Sequence, residues 1–121
     1  MAAPNIVNVS AIYGKTVGAA LTTSSADILT NSAASGKVFK VNAVYVANID
    51  GTNNADVTVT WTDSSASATY KLANTITVPA DATLIVVDKD AQLYLEEGDK
   101  ISALASASSD LEITISYDDI S

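Results

Sequence analysis

The sequence predicts an all-β fold, as a single-domain antiparallel β-sandwich of jelly-roll-like form or as a barrel. Three observations predict it: apolar and polar residues alternate with a period of two, β-branched residues and Thr are abundant, and turn signals separate short segments. The 121 residues have room for one core. We therefore assign residues 1–121 to one domain and leave open an extended N-terminal segment.

Two segments alternate most clearly. In residues 57–62 every odd position is large and apolar and every even position is Thr, and residues 111–118 repeat the pattern. Residues 39–49 form a longer strand, in which Phe39, Val41 and Tyr45 share one face while Val44 and Val46 make the other face apolar as well. We predict that this strand lies centrally and is covered on both faces in its middle.

Weaker alternation predicts seven further strands, with a short helical turn as one option between them. The turn would take residues 24–31, with Ser24 or Ser25 as its N-cap and with Ile28 and Leu29 facing inward. The seven strands are predicted at residues 5–13, 16–22, 68–72, 74–78, 83–87, 92–95 and 100–104.

Charge and composition exclude several function classes. Fourteen acidic residues against six lysines give a formal net charge of −8, and the chain contains no Arg, His or Cys. An acidic chain without Arg is a poor ligand for a phosphate backbone, so we expect no nucleic-acid partner. The usual zinc, copper, haem and iron–sulfur ligand sets cannot be assembled, so we expect no cofactor. No apolar run reaches the ~20 residues of a membrane helix, so we expect no membrane partner.

One loop carries a possible calcium site. Asp50, Asn53 and Asp56 place side-chain oxygens within seven residues, as a Ca²⁺ ion requires. Asp, Gly and Asn are equally typical of a tight connection between strands, and the EF-hand spacing is absent. We favour the turn, and we assign no metal residue.

The remaining carboxylates predict no catalytic site. Glu96, Glu97 and Asp99 in one segment, and Asp88 and Asp90 in another, could supply the acid pair of a glycoside hydrolase, but acids in turns are ordinarily solvated. A nucleophilic Ser lacks a His base, and no Ser-x-x-Lys motif occurs. We therefore name no catalytic or cofactor-binding residue and expect that the protein is not an enzyme.

The aromatic residues divide into two groups. Tyr45, Trp61 and Tyr117 each share a face with aliphatic residues, so we predict that they pack in the core. The other three tyrosines are less constrained and are candidates for a subunit interface: Tyr13, Tyr70 and Tyr94.

The predicted strands also indicate self-association. Strands rich in Thr and Val with few charges leave sheet edges that must be covered, and the acidic pair Asp118 and Asp119 would protect one strand end. We expect a homo-oligomer, or a subunit inserted among other proteins.

Six segments, spread over nearly the whole chain, carry characteristic turn and strand signatures. They are residues 3–9, 13–16, 35–41, 46–52, 78–82 and 94–101. In these segments the chain resembles small virion structural proteins of tailed bacteriophages, especially those of marine cyanobacteria.

The resemblance implies a non-enzymatic particle protein, made in the host cytoplasm and located in the virion. The leading hypothesis is a capsid decoration or cement protein that contacts the major capsid protein or another virion protein. The first alternative is a tail, neck or fibre component that contacts a host-surface glycan, and the second is an acid-dependent glycan hydrolase.

Overall fold

The computed structural model describes residues 9–121 as two packed antiparallel β-sheets, which confirms the predicted sandwich. The strands alternate in the sequence with loops and one short 3-10 turn at Lys89–Ala91. Their bounds are β1 Ile12–Ala20, β2 Ala26–Thr30, β3 Val38–Asn48, β4 Ala55–Asp63, β5 Ala68–Val78, β6 Thr83–Val87, β7 Leu93–Leu95, β8 Lys100–Ala105 and β9 Leu111–Ile120.

The strand order is that of a jelly roll. One sheet has the order β1-β9-β3-β6, with β7 also paired to β3, and the other has the order β2-β8-β4-β5. Consecutive strands therefore cross repeatedly between the two sheets, as in double-sheet jelly rolls. Neither β3 nor β9 is an edge strand, which confirms the central position predicted for residues 39–49.

The core lies between the two sheets. Ile113 and Ile115 of β9 and Val57 and Val59 of β4 have no exposed surface, as their alternation predicts. Burial of each such side chain contributes about 1.5–3 kcal/mol. These residues hold the two sheets together.

A β-bulge in β3 overturns one prediction. The register with β9 shifts between Val41 and Ala43, so Asn42 is an extra residue and the alternation reverses beyond it. Val44 and Val46 are therefore buried, whereas Tyr45 is 38% exposed. The prediction that Tyr45 packs in the core and that this part of β3 is covered on both faces is wrong.

A second bulge, in β2, lies where a helical turn was predicted, and that prediction is wrong. Residues Ala26–Thr30 form β2, and its register with β8 shifts between Asp27 and Leu29. Ile28 is the extra residue, so two consecutive apolar side chains pack toward the core without a helix.

In two places, two neighbouring predicted strands form one continuous strand in the structure. Residues 68–72 and 74–78 both lie in β5, whose register with β4 shifts twice. Residues 16–20 and 12–13 both lie in β1, which passes through Gly14 and Lys15 without a turn. The rest of the predicted strand at residues 5–13 lies partly outside the described residues, as does the proposed N-terminal extension.

Candidate interaction surface

The loop of residues 50–56 is built by its own side chains. The Asp50 Oδ1 accepts hydrogen bonds from the backbone N of Thr52 at 2.8 Å and of Asn53 at 3.2 Å. These bonds, with one from the Asn53 side chain, lower the pKa of Asp50. Asp56 accepts from Thr77 Oγ1 at 2.7 Å. The loop is thus an Asx turn, the preferred alternative from the sequence, and in residues 9–121 no cluster of three acidic side chains is arranged to hold a metal ion.

The carboxylates considered for hydrolysis hold backbone groups. Asp99 is buried and accepts from the backbone N of Ser64 at 2.9 Å and of Glu96 at 3.0 Å. Glu97 accepts from the backbone N of Gly36 at 3.0 Å, and Asp88 caps the 3-10 turn. These acids therefore organise turns at the ends of the strands.

Asp119 lies at one end of the sandwich beneath two lysines. Its carboxylate is only 3% exposed, and its Oδ2 lies 2.8 Å from Lys15 Nζ and 3.3 Å from Lys37 Nζ. Burial raises the pKa of Asp119, and the hydrogen bonds and charges of the two lysines outweigh that effect, so the pKa lies below its ordinary value. Asp119 lies near the end of β9, as expected from the sequence, but it does not protect a sheet edge, because it is buried and β9 lies between β1 and β3.

This ion cluster predicts a pH dependence. A lowered folded-state pKa stabilises the protein above the ordinary carboxyl pKa of about 3.8, and that stabilisation is lost as the pH falls through the folded-state value. We expect D119N to lower the melting temperature at pH 7 and to narrow its difference from the wild type toward pH 3. Melting curves from pH 2 to 7 test this, with D118N as the neighbouring control. If the difference in melting temperature between D119N and the wild type does not change with pH, the lowered pKa assigned to Asp119 is contradicted.

The aromatic residues considered from the sequence are either partly buried against the core or exposed. Tyr117 packs partly buried against Phe39, with ring centroids 5.0 Å apart, and Trp61 stacks on Tyr70 at 5.6 Å. Core packing is thus confirmed for Tyr117 and Trp61. Tyr13 and Tyr70 are 60% and 52% exposed, and Tyr94 is 41% exposed.

The outer face of the five-stranded sheet carries an apolar patch. Tyr45 of β3 lies directly opposite Ile85 of β6, which is 64% exposed, and Ala43 and Ala47 flank Tyr45 on the same face. We call these four residues the Tyr45–Ile85 patch. Sequence analysis missed it, because the bulge at Asn42 decides which face Tyr45 occupies.

The patch is suited to protein contact rather than chemistry. An aromatic ring beside a branched aliphatic side chain on the outer face of a sheet gives a partner exposed apolar area. The neighbouring strand β9 is polar on this face, because it places Thr114 opposite Tyr45 and Glu112 opposite Ala47. The Tyr45–Ile85 patch is therefore the candidate interaction surface, with a polar strand beside it.

In the part of the chain that the structure describes, no helix has the length and apolar character needed to cross a membrane. No protein-family model matches the sequence, and no curated protein does.

The fold is shared with solved structures, among them a capsid chain and an appendage chain. A chain from the acid-stable capsid of Helicobacter pylori bacteriophage KHP30 matches with a TM-score of 0.54 at 8% identity, over 94% of this chain and 90% of its own length. A chain from Bacillus endospore appendages, described as a family of disulfide-linked pili, matches with a TM-score of 0.51 at 15% identity, over 89% of this chain and 85% of its own length. At these identities the similarity shows a common fold.

Proposed function

We propose that this chain is a structural component of a tailed-bacteriophage virion and that it decorates the capsid as a cement protein. The observation that carries the proposal is the fold shared, over nearly the whole chain, with a chain of a bacteriophage capsid. The sequence resemblance to phage virion proteins supports the same assignment. The cyanophage relationship and the capsid position are parts of the proposal.

The use of the acidic side chains supports a non-enzymatic role. Asp50, Asp88, Glu97 and Asp99 bind backbone groups of the chain itself, and Asp119 binds two lysines. A glycoside hydrolase needs two carboxylates that face each other across a sugar. Three of the acids considered for hydrolysis, Asp88, Glu97 and Asp99, are instead occupied in holding turns, which supports a non-enzymatic role.

Cementing would act through the Tyr45–Ile85 patch. Each copy adds apolar contact area between neighbouring capsid subunits, and many modest contacts summed over the shell resist its expansion. The major capsid protein is the proposed partner. The net charge of −8 disfavours contact with packaged DNA, which supports a position on the outer surface of the capsid.

Capsid binding can be tested with one charge placed in the patch. We expect I85D to lower the occupancy of the protein on stripped capsids at least ten-fold, because the new carboxylate would be buried without a partner. The matched control is I76D, since Ile76 is 42% exposed on β5 of the other sheet. Quantitative re-binding followed by cryo-electron microscopy measures occupancy and position. Equal binding of I85D and wild type would exclude the patch as the contact.

Particle heat stability tests the cement role itself. We expect particles without the protein to release DNA at a lower temperature than complete particles, and re-addition of the protein to restore the difference. Unchanged heat stability, or density confined to the tail or neck, would overturn the cement hypothesis.

A tail, neck or fibre component is the second candidate. The specific observation in its favour is the fold shared with a chain of filamentous appendages, together with three exposed tyrosines that could stack on a sugar: Tyr13, Tyr70 and Tyr94. Glycan binding that is abolished by Tyr-to-Ala substitution would favour this candidate over capsid cement.

A further inference from the structure

The four edge positions of the two sheets are not equally protected. β2 and β6 are short strands of five residues, and each contains one register shift. β7 has only three residues. β5 is long, but it contains two register shifts and a positive φ of 53° at Thr75. Short strands and bulges discourage the addition of another strand. β1 has nine residues in continuous register with β9. Among residues 9–121, it is the one long edge strand without a bulge.

The backbone groups on the free edge of β1 can be identified from its register. Ala11 and Ser121 exchange two hydrogen bonds, at 3.0 and 2.9 Å, and the N of Leu21 donates to the O of Leu111 at 2.9 Å. Antiparallel pairing alternates, so the odd residues of β1 bond to β9. The even residues direct their N–H and C=O groups to the free edge: Ile12, Gly14, Thr16, Gly18 and Ala20.

Two of these five residues are glycines that the chain itself does not require. Gly14 and Gly18 lie outside the positive-φ region, and a Cβ built on either would meet no other atom closer than 3.5 Å. Glycine within a strand costs about 0.5–1 kcal/mol relative to Ala and often marks the close approach of another backbone. At these two positions the free edge of β1 is therefore open to the backbone of another strand.

We propose that β1 pairs antiparallel with β1 of a second copy of this chain, about a two-fold axis at Thr16. This register overlaps all nine residues and places Gly14 opposite Gly18 of the other copy. It also places Ile12 opposite Ala20 and Tyr13 opposite Ala19, so the two large apolar side chains at the start of β1 each face an alanine. The two five-stranded sheets become one continuous sheet.

Charge and exposure favour a second copy as the occupant. Lys15 is the one charged residue of β1, and in this register it lies opposite Val17 rather than opposite its own copy. The acid-rich chain thus meets its copy along a strand that carries no carboxylate. Ile12 and Tyr13, at 58% and 60% exposure, would gain a neighbour at each end of the new strand pair.

The oligomeric state of the isolated full chain tests the pairing. We expect sedimentation and light scattering to give twice the chain mass, with a dimer fraction that rises between about 1 and 100 μM. T16P removes an N–H that points away from β9 and has no strand partner among residues 9–121, so the fold should survive while the dimer is lost. T16V keeps the N–H and the β-branched shape, and should dimerise like the wild type.

A cysteine trap gives a second and independent test, because the chain has no Cys. A directly opposed pair in this register has Cα atoms about 5.5 Å apart, within the range that a disulfide spans. We expect T16C to form a covalent dimer under mild oxidation at least ten-fold faster than T69C, a control on exposed β5.

The outcomes are distinct from those for the virion role, because these measurements use the purified chain. A folded wild-type monomer at every concentration would overturn the pairing, as would a dimer unaffected by T16P. Larger polymers, or equal cross-linking of T16C and T69C, would overturn the two-fold register.

Discussion

G98A is expected to lower the free energy of unfolding by about 2–4 kcal/mol. Gly98 has a φ of +88°, which side chains rarely adopt, and a Cβ there would lie 2.6 Å from Ser64 Oγ and 2.9 Å from Ser64 Cβ. The backbone N of Gly98 also donates to the O of Asn31 at 2.7 Å. Strain at this residue would therefore disturb the turn before β8 and its contact with β2.

Urea unfolding followed by circular dichroism measures this effect. The control is G51A, because Gly51 lies outside the positive-φ region and its Cβ would be 3.6 Å from Asp81 Oδ2, an ordinary contact. S64G in the G98A background should recover the steric part of the loss but not the part due to φ. Wild-type stability of G98A would show that the turn tolerates a side chain.

N31L is expected to lower the free energy of unfolding by about 2–5 kcal/mol. Asn31 has no exposed surface, and its Nδ2 donates to the O of Lys37 at 2.9 Å and to the O of Leu95 at 3.0 Å, while its Oδ1 accepts from Ser35 Oγ at 2.6 Å. Leucine has the same number of side-chain heavy atoms and the same branching at Cγ, but it is larger and has no polar atoms. The buried carbonyl oxygens would lose their donors, which costs more than the bonds contribute.

The matched control for N31L is N74L, since Asn74 is exposed on β5 and its replacement should change stability by about 0.5 kcal/mol or less. Chemical denaturation of both variants gives the comparison. If N31L unfolds at the wild-type urea concentration, the hydrogen bonds of Asn31 contribute no specific stability.

The sequence predicted the strands and their buried residues better than it predicted which residues are exposed for contact with another protein. Strict alternation placed β4 and β9 and the inward faces of both, because no bulge interrupts residues 57, 59 and 61 on β4 relative to β8. The predictions for Tyr45 and for the helical turn were wrong for one physical reason. In β3 and β2 a single extra residue, Asn42 or Ile28, shifts the period, and its position depends on the partner strand rather than on local sequence.

The interaction surface was the hardest part to predict. The Tyr45–Ile85 patch forms only because β6 pairs with β3, and these two strands are well separated in the sequence. To predict the free edge of β1, one must know that residues 12–20 form one strand and that β9 covers only one side of it. Long-range pairing decides both, whereas the turn chemistry of residues 50–56 is local and was predicted correctly.

The position of β9 also sets the order of events during synthesis. β9 lies between β1 and β3, so the first long strand of the chain has no neighbour in its sheet until residues 111–120 have left the ribosome. Contacts between distant residues make folding slow, and unpaired strands are exposed to wrong partners meanwhile. Residues 12–20 should therefore stay without a strand partner until β9 is inserted.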